Sequence, residues 1–300
     1  MANSIQLIEK YGAQNLDKIF VMESVTGILE NRTGVPLKPV EHDAKTVYLP
    51  DIVMDGLGDY DMTNGFPDGD ISLNWTPYQC EMDRGRGFSI DSVENQESAG
   101  IVAANLMAEF LRTKVIPEVD AYRLSKLYAN AVAENIKSES ITDNTIIKKF
   151  NGVIKYYIDS EIALNNLVIY VSSDIDEKIR NTTELQKKIT QQDYRVGDLT
   201  FKVRSYEGMP IIVVPRTRFK SAYDFGTNGF TPASGAVDLN FMVVHTNAAL
   251  PYKKHQAIRT FAPEVNQKKD AWLFQYRLYH DLITPKNKQK GIYVSAVPAA

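Results

Sequence analysis

The chain has 300 residues, enough for one large domain or two modest ones with a full core. Hydrophobic residues make up 44% and charged residues 24%, the balance of a globular protein rather than of a disordered one. Lys+Arg 34 against Asp+Glu 37 leaves a net charge of −3, so no basic excess neutralises phosphates and dedicated nucleic-acid binding is not expected.

The opening Met1-Ala2-Asn3-Ser4-Ile5 has neither the basic nor the apolar region of a signal peptide. The longest apolar runs, such as Met209–Pro215, are far too short to cross a bilayer, so no membrane partner is expected. A single cysteine, Cys80, excludes an intramolecular disulfide framework and fits a reducing cytoplasm. It reads as a small buried hydrophobe.

Residues 1–45 mix a short helical pattern (Leu16, Ile19, Phe20, Glu23) with Gly34-Val35-Pro36-Leu37-Lys38-Pro39. Proline fixes φ and removes donors, so this end reads as an extended arm that must lean on other surface. Strands are expected at 46–54 and 71–78. The second alternates, with Ile71, Leu73 and Trp75 on one face and Ser72, Asn74 and Thr76 on the other. Between them, Asp55–Asp70 holds four glycines and five aspartates, which permit left-handed turns and close Asx-turns. This is a hairpin tip, and such a two-stranded hairpin is not stable alone in water.

Asp91 or Ser92 caps the next expected helix, with Glu94 approximating a capping box. Its stripe is Ala99, Val102, Ala103, Leu106, Met107 and Phe110, and Pro117 kinks or ends it. A second helical stripe follows at Val119, Leu124, Leu127, Tyr128 and Ala131. Asp143 is expected to cap a third helix, in which Ile146, Ile147, Phe150, Val153, Ile154, Tyr157 and Ile158 give the clearest period in the chain. Leu167–Ser172 reads as a buried strand, and 174–190 as a polar helix. Strands follow at 199–206 and 210–214 around Glu207-Gly208, then at 237–246 and 272–282. On the last, Trp272, Phe274, Tyr276, Leu278, His280 and Leu282 share a face. No 20–50-residue period repeats, and the fold class is α+β.

Nothing in this order assembles a catalytic site or a cofactor site, so the chain is not expected to be an enzyme. His42, His245, His255 and His280 stand alone, without the spacing or cysteine partners of a zinc site. His280 reads as a hydrogen-bonded core or interface histidine. Asp59, Asp61 and Asp70 weakly imitate a calcium loop, but the sharp-turn glycine falls one position late and the last ligand is Asp rather than Glu. The expectation is no metal and a solvated acidic tip. Gly85-Arg86-Gly87-Phe88-Ser89 is not a nucleophile elbow, and no Walker motif exists. Arg84 and Arg86 read as fork-shaped partners for carboxylates. Lys148-Lys149 and Lys253-Lys254 read as solvated helix or loop faces.

Asp83-Arg84-Gly85-Arg86-Gly87-Phe88-Ser89-Ile90-Asp91 runs into a long helix, an extended hairpin precedes it, and 270–297 closes the chain around Tyr276-Arg277-Leu278-Tyr279-His280-Asp281. This order resembles the major capsid proteins of tailed bacteriophages, with the Hong Kong 97-type fold. By that resemblance, 1–45 is an N-terminal arm and 46–90 an extended loop reaching a neighbouring subunit. Residues 91–136 are the spine helix and the first part of the peripheral domain. Residues 137–248 are the axial domain, with Tyr206-Glu207-Gly208-Met209-Pro210-Ile211-Ile212-Val213-Val214-Pro215 as its hairpin, and 249–300 are the second part of the peripheral domain.

The resemblance implies hexamers and pentamers that self-assemble into an icosahedral head in the host cytoplasm and enclose double-stranded DNA, touched non-specifically. It implies a portal, a cement or decoration protein, and a scaffolding protein, here a separate one because the arm begins at Met1. Asp55, Asp59, Asp61, Asp68, Asp70, Trp75, Arg84 and Arg86 are the expected intersubunit contacts. Some members of that family join an extended-loop lysine to an asparagine of another subunit; 46–80 contains no lysine, so no such cross-link is expected. Two rivals stand beside this reading: an encapsulin-like compartment shell of the same fold, and a monomeric hydrolase or carbohydrate-binding module.

Overall fold

The computed structural model describes residues 24–30, 38–39, 45–63, 65–92, 107–182, 189–196 and 199–298. The expected helical pattern at 16–23 and most of the stripe from Ala99 to Leu106 lie outside these residues. The chain forms two compact units, Thr33–Met82 and Met1–Arg32 with Asp83–Ala300.

The smaller unit is a three-stranded antiparallel sheet. Strand β1 (Lys38–Pro39) pairs with β2 (Thr46–Met54), and β2 pairs with β3 (Ile71–Gln79) over nine positions, from Thr46↔Gln79 to Met54↔Ile71. The hairpin bounds agree with the expected ones to within a residue. Cys80 is buried, as expected of a small hydrophobe.

The larger unit begins with β4 (Met82–Asp91, in the unit from Asp83 onward), a strand the glycine-rich sequence conceals. Gly85 lets the strands approach closely: a Cβ would crowd the Tyr276 carbonyl oxygen at 3.0 Å. Helix follows from Met107 without a break to Asn130. Pro117 therefore does not end it. Leu111–Val115 forms a π turn in which the Ile116 N–H donates to the Leu111 carbonyl, and Pro117 then falls in the first turn of α1 (Ile116–Asn130). The widened turn re-starts the ladder where a missing proline N–H is tolerated.

Strand β5 (Ile136–Ser138) leads to α2 (Ile146–Asp159). Asp143 lies in the preceding turn and is not the cap; Thr145 is the N-cap, and its hydroxyl accepts from the Thr142 N–H. After β6 (Leu167–Ser172), the Ser172 hydroxyl accepts from the Ile175 N–H and caps α3 (Ser173–Asn181). This helix is shorter than the expected 174–190, because Ile189–Val196 is strand β7. It pairs with β8 (Leu199–Tyr206), which turns through Glu207 (φ 49°) and Gly208 (φ 88°) into β9 (Met209–Val214).

A short hairpin, β10 (Tyr223–Gly226) with β11 (Gly229–Pro232), precedes β12 (Leu239–His245). Then come β13 (Leu250–Phe261), β14 (Ala271–Ile283) and β15 (Ile292–Ala296). Lys253 and Lys254 are thus strand residues, not helix or loop: Lys253 pairs with Glu30 and Lys254 lies over the Tyr279 ring.

The strands form a mixed seven-stranded sheet, β5-β15-β12-β6-β9-β8-β7, and a three-stranded sheet, β13-β14-β4. Side-chain alternation sorts the large sheet into two faces. Ile169, Val171, Phe241 and Val243 meet Phe150, Val153 and Tyr157 of α2 and Ile175 and Ile179 of α3. Val168, Tyr170, Met242 and Val244 meet Leu124 and Leu127 of α1, with Ile28 and Leu29. Covered on both sides, β6 is buried throughout, which explains its unbroken apolar run. Phe274, Tyr276 and Leu278 of β14 pack against Leu111, Ile116 and Val119 of the helix, as the shared face of 272–282 predicts.

Candidate functional site

The hairpin of the smaller unit carries the strongest surface signal. Paired residues of an antiparallel ladder share a face. Pro50↔Trp75, Ile52↔Leu73 and Met54↔Ile71 therefore put six apolar side chains on one side. Ile71 is 75% exposed, Met54 66% and Trp75 49%. Of the thirteen large apolar side chains exposed among the described residues, ten lie between Ile52 and Trp75. A monomer does not normally gather exposed apolar groups in this way.

Three of the tip aspartates act as local braces. Asp61 Oδ1 accepts from the Thr63 N–H at 2.8 Å, and Asp61 exchanges backbone hydrogen bonds with Gly65 at 3.2 and 2.8 Å. Gly65 has φ 85°, a left-handed position that suits glycine. Asp55 Oδ2 accepts from the Asp70 N–H at 2.9 Å. Asp59 and Asp68 have no bonded partner among the described residues. Tyr60 and Phe66 meet edge to face at 4.9 Å between centroids, so the acidic tip also has an exposed aromatic pair. The tip is amphiphilic, not simply the solvated acidic loop expected. Among the described residues no three acidic or thiol or imidazole groups gather to hold a metal, and Asp61 and Asp70 brace separate parts of the tip.

Arg84 and Arg86 serve the larger unit. Arg84 Nε donates to Glu118 Oε1 at 2.7 Å and its Nη2 to the Gly226 carbonyl at 2.7 Å. Arg86 Nη1 donates to the Thr227 carbonyl at 2.9 Å. Arg84 meets a carboxylate as its fork shape predicts; Arg86 meets a backbone oxygen. Together they tie β4 to α1 and to the β10–β11 turn, beside a cleft of about 660 Å³ that Phe88, Phe110, Phe230 and His280 also line.

A buried network that the sequence does not announce fixes Ser24–Glu30 to α1. Asp120, fully buried, accepts from the hydroxyls of Ser24 and Thr26 at 2.7 Å each and from the backbone N–H groups of Val25 and Thr26 at 3.2 Å. Arg218 reaches the same carboxylate at 3.3 Å. One helical turn on, Arg123 binds the Thr26 hydroxyl and Glu30, which Lys253 also holds. Burial alone would raise the Glu30 pKa, but Arg123 and Lys253 outweigh it and hold the group below its ordinary value. His280 is buried against Tyr122, and its Nδ1 has no hydrogen-bond partner among the described residues, where a hydrogen-bonded histidine is expected. Burial first, then Arg123 and Lys253, pushes its pKa down to about 3, so it is neutral at physiological pH.

No family model and no curated protein matches the sequence. Solved structures do. A chain from Gordonia phage Cozz superposes with a TM-score of 0.60 at 13% identity, covering 93% of this chain and 87% of that one. The mature capsid of bacteriophage PhiM1 gives 0.59 at 10%, over 84% and 82%. The capsid of cyanophage P-SCSP1u gives 0.57 at 8%, over 90% and 91%. The chain has the fold of tailed-phage capsid proteins. The likeness runs over most of each capsid chain, so the shared α+β architecture is that of a whole capsid subunit and not of a common fragment. At these identities the fold is what is shared, while the side chains that line the hairpin are this chain's own.

Proposed function

We propose that the protein is the major capsid protein of a tailed bacteriophage. Its copies assemble as hexamers and pentamers into the icosahedral head that encloses double-stranded DNA, and the mature protein resides in the virion. The observation that carries this reading is the match to phage capsids over more than four-fifths of both chains. The exposed apolar face of the β2–β3 hairpin supports it, because such a face requires foreign surface.

In this reading 1–45 is the arm, 46–90 the extended loop, 91–136 the spine and first peripheral segment, 137–248 the axial domain and 249–300 the second peripheral segment. Asp59, Asp68 and Trp75 meet a neighbouring subunit; Arg84 and Arg86 fasten β4 within their own subunit. The role is structural rather than enzymatic, and a scaffolding protein, a portal and a cementing protein are the further partners. The test is sizing with light scattering and negative-stain microscopy of the pure full-length chain across a concentration series. Rings or closed shells are expected. A compact monomer of 33.8 kDa at every concentration would overturn the proposal.

A further inference from the structure

One face of the larger unit collects lysines around a cleft. The cleft is lined by Glu134 and Asn135, by Lys137 of β5, by Lys148, Lys149, Gly152 and Tyr156 of α2, and by Tyr293 of β15. On α2 the spacing of Lys148, Gly152 and Lys155 makes one outward stripe, opposite the buried Phe150, Val153 and Tyr157. The helix carries no acidic residue before Asp159. Lys290, itself exposed, has its backbone beside this face: the Tyr156 and Asn135 side chains both donate to its carbonyl, at 3.1 and 3.4 Å.

The charge on this face is only partly answered. Lys149 is paired with Glu139, which also accepts from the Ser295 hydroxyl. Lys137, Lys148, Lys155 and Lys290 have no carboxylate partner among the described residues. Gly152 is a second, independent sign. Glycine inside a helix is the poorest helix former after proline. Yet a Cβ at Gly152 would meet nothing within 4 Å, so no packing inside the chain demands it. The bare backbone of Gly152, exposed and lining the cleft, suits close approach by something outside the chain.

From this we infer that the Lys137–Lys148–Lys155–Lys290 face binds the phosphate backbone of a nucleic-acid duplex without reading sequence. It rests on the shell reading for the source of that duplex, the packaged DNA. Phosphate is favoured over a protein carboxylate because the cations come from three separate elements, which spreads them as a row along a polyanion rather than into a single pocket. The chain's net charge of −3 conceals this row, because it averages over every face.

The experiment is fluorescence anisotropy of the full-length chain with a labelled DNA duplex of about twenty base pairs, over a potassium chloride series. With four lysines engaged, log K should fall with log salt at a slope of about −3.6, or roughly a hundred-fold loss between about 50 and 200 mM. Lys137→Ala/Lys148→Ala/Lys155→Ala should flatten the slope by about 2.7. Gly152→Glu, which fits open space, should weaken binding at low salt by at least about ten-fold while leaving the thermal melt of the chain intact. Absence of salt-dependent binding, or an unchanged slope in the triple variant, would overturn the inference. So would displacement of the duplex by poly-aspartate at equal charge concentration, which would point to an acidic protein partner. If shells still assemble while duplex binding is absent, this inference fails and the capsid reading stands. A chain that stays monomeric yet binds duplex with the expected slope would keep the phosphate-binding face and overturn the capsid reading.

Discussion

Replacing Ile71 and Leu73 by threonine should block assembly while sparing the subunit. Both side chains project from the apolar face of the hairpin, and they remain 75% and 54% exposed. Full burial of such a side chain is worth ~1.5–3 kcal/mol, so docking against a neighbour has ~1–2 kcal/mol per residue still to gain. Threonine is β-branched, which suits a strand, but forfeits most of that gain. The double variant should lose ~2–3 kcal/mol for every docked hairpin, which raises the critical concentration for assembly about 30- to 150-fold. The unassembled chain should change by less than ~0.5 kcal/mol, because neither residue is buried in it. Light scattering against concentration measures the first quantity, and urea unfolding of the unassembled protein the second. An unchanged critical concentration would refute the docking role. A variant that unfolds more easily in proportion to its assembly defect would show that the face is internal to the subunit.

Asp120→Ala should destabilise the unassembled chain by ~3–5 kcal/mol in urea unfolding, since it strands Ser24, Thr26 and Arg218 around a buried cavity; Ser24→Ala, which removes one hydroxyl donor, should cost only ~1–2 kcal/mol. His280 has a folded pKa of about 3 against an ordinary 6.5, so the unfolded chain binds its proton first and stability falls as pH drops between those values, by ~1.4 kcal/mol per unit. His280→Gln should remove that part of the acid slope, and a slope identical to the parent's between about pH 6 and 4 would contradict the buried neutral imidazole. Particles boiled in detergent with reductant should run as one band near 33.8 kDa, because residues 46–80 offer no lysine for an amide cross-link; a covalent ladder would reject that expectation.

Legibility in the sequence follows contrast between faces. The α2 stripe and the first half of the strand at 272–282 are readable because one face is buried and the other is wet; from Leu278 onward both faces of that strand are buried. Strand β13 is an edge strand of its sheet, mostly half-buried or exposed, so Leu250–Phe261 shows no clean alternation. Edge strand β7 contains Thr190-Gln191-Gln192-Asp193, a polar run without apolar alternation, so its sequence merges with the expected helix before it. Pro117 misleads differently: its local rule is sound, but the π turn before it moves the register of the ladder. The two arginines of β4 are legible as fork donors, whereas the partner of Arg86, a backbone carbonyl some 141 residues away, is not.

By itself the sequence determined the local devices. These are the paired apolar positions of the hairpin, its glycine and aspartate tip, the buried strand β6, and the absence of lysine from 46–80. Each depends on residues a few places apart, where backbone geometry alone fixes who faces whom. Tertiary structure decided everything that joins distant positions. It placed Ser24 and Thr26 on Asp120, 96 and 94 residues away. It also brought Lys137 and Lys148 to one cleft of a chain whose charges nearly cancel. Side-chain chemistry names what a group can bind, but only packing of the sheets and helices sets which groups stand close enough to act together, because hydrogen bonds need contact and exposed charges are screened within about 10 Å.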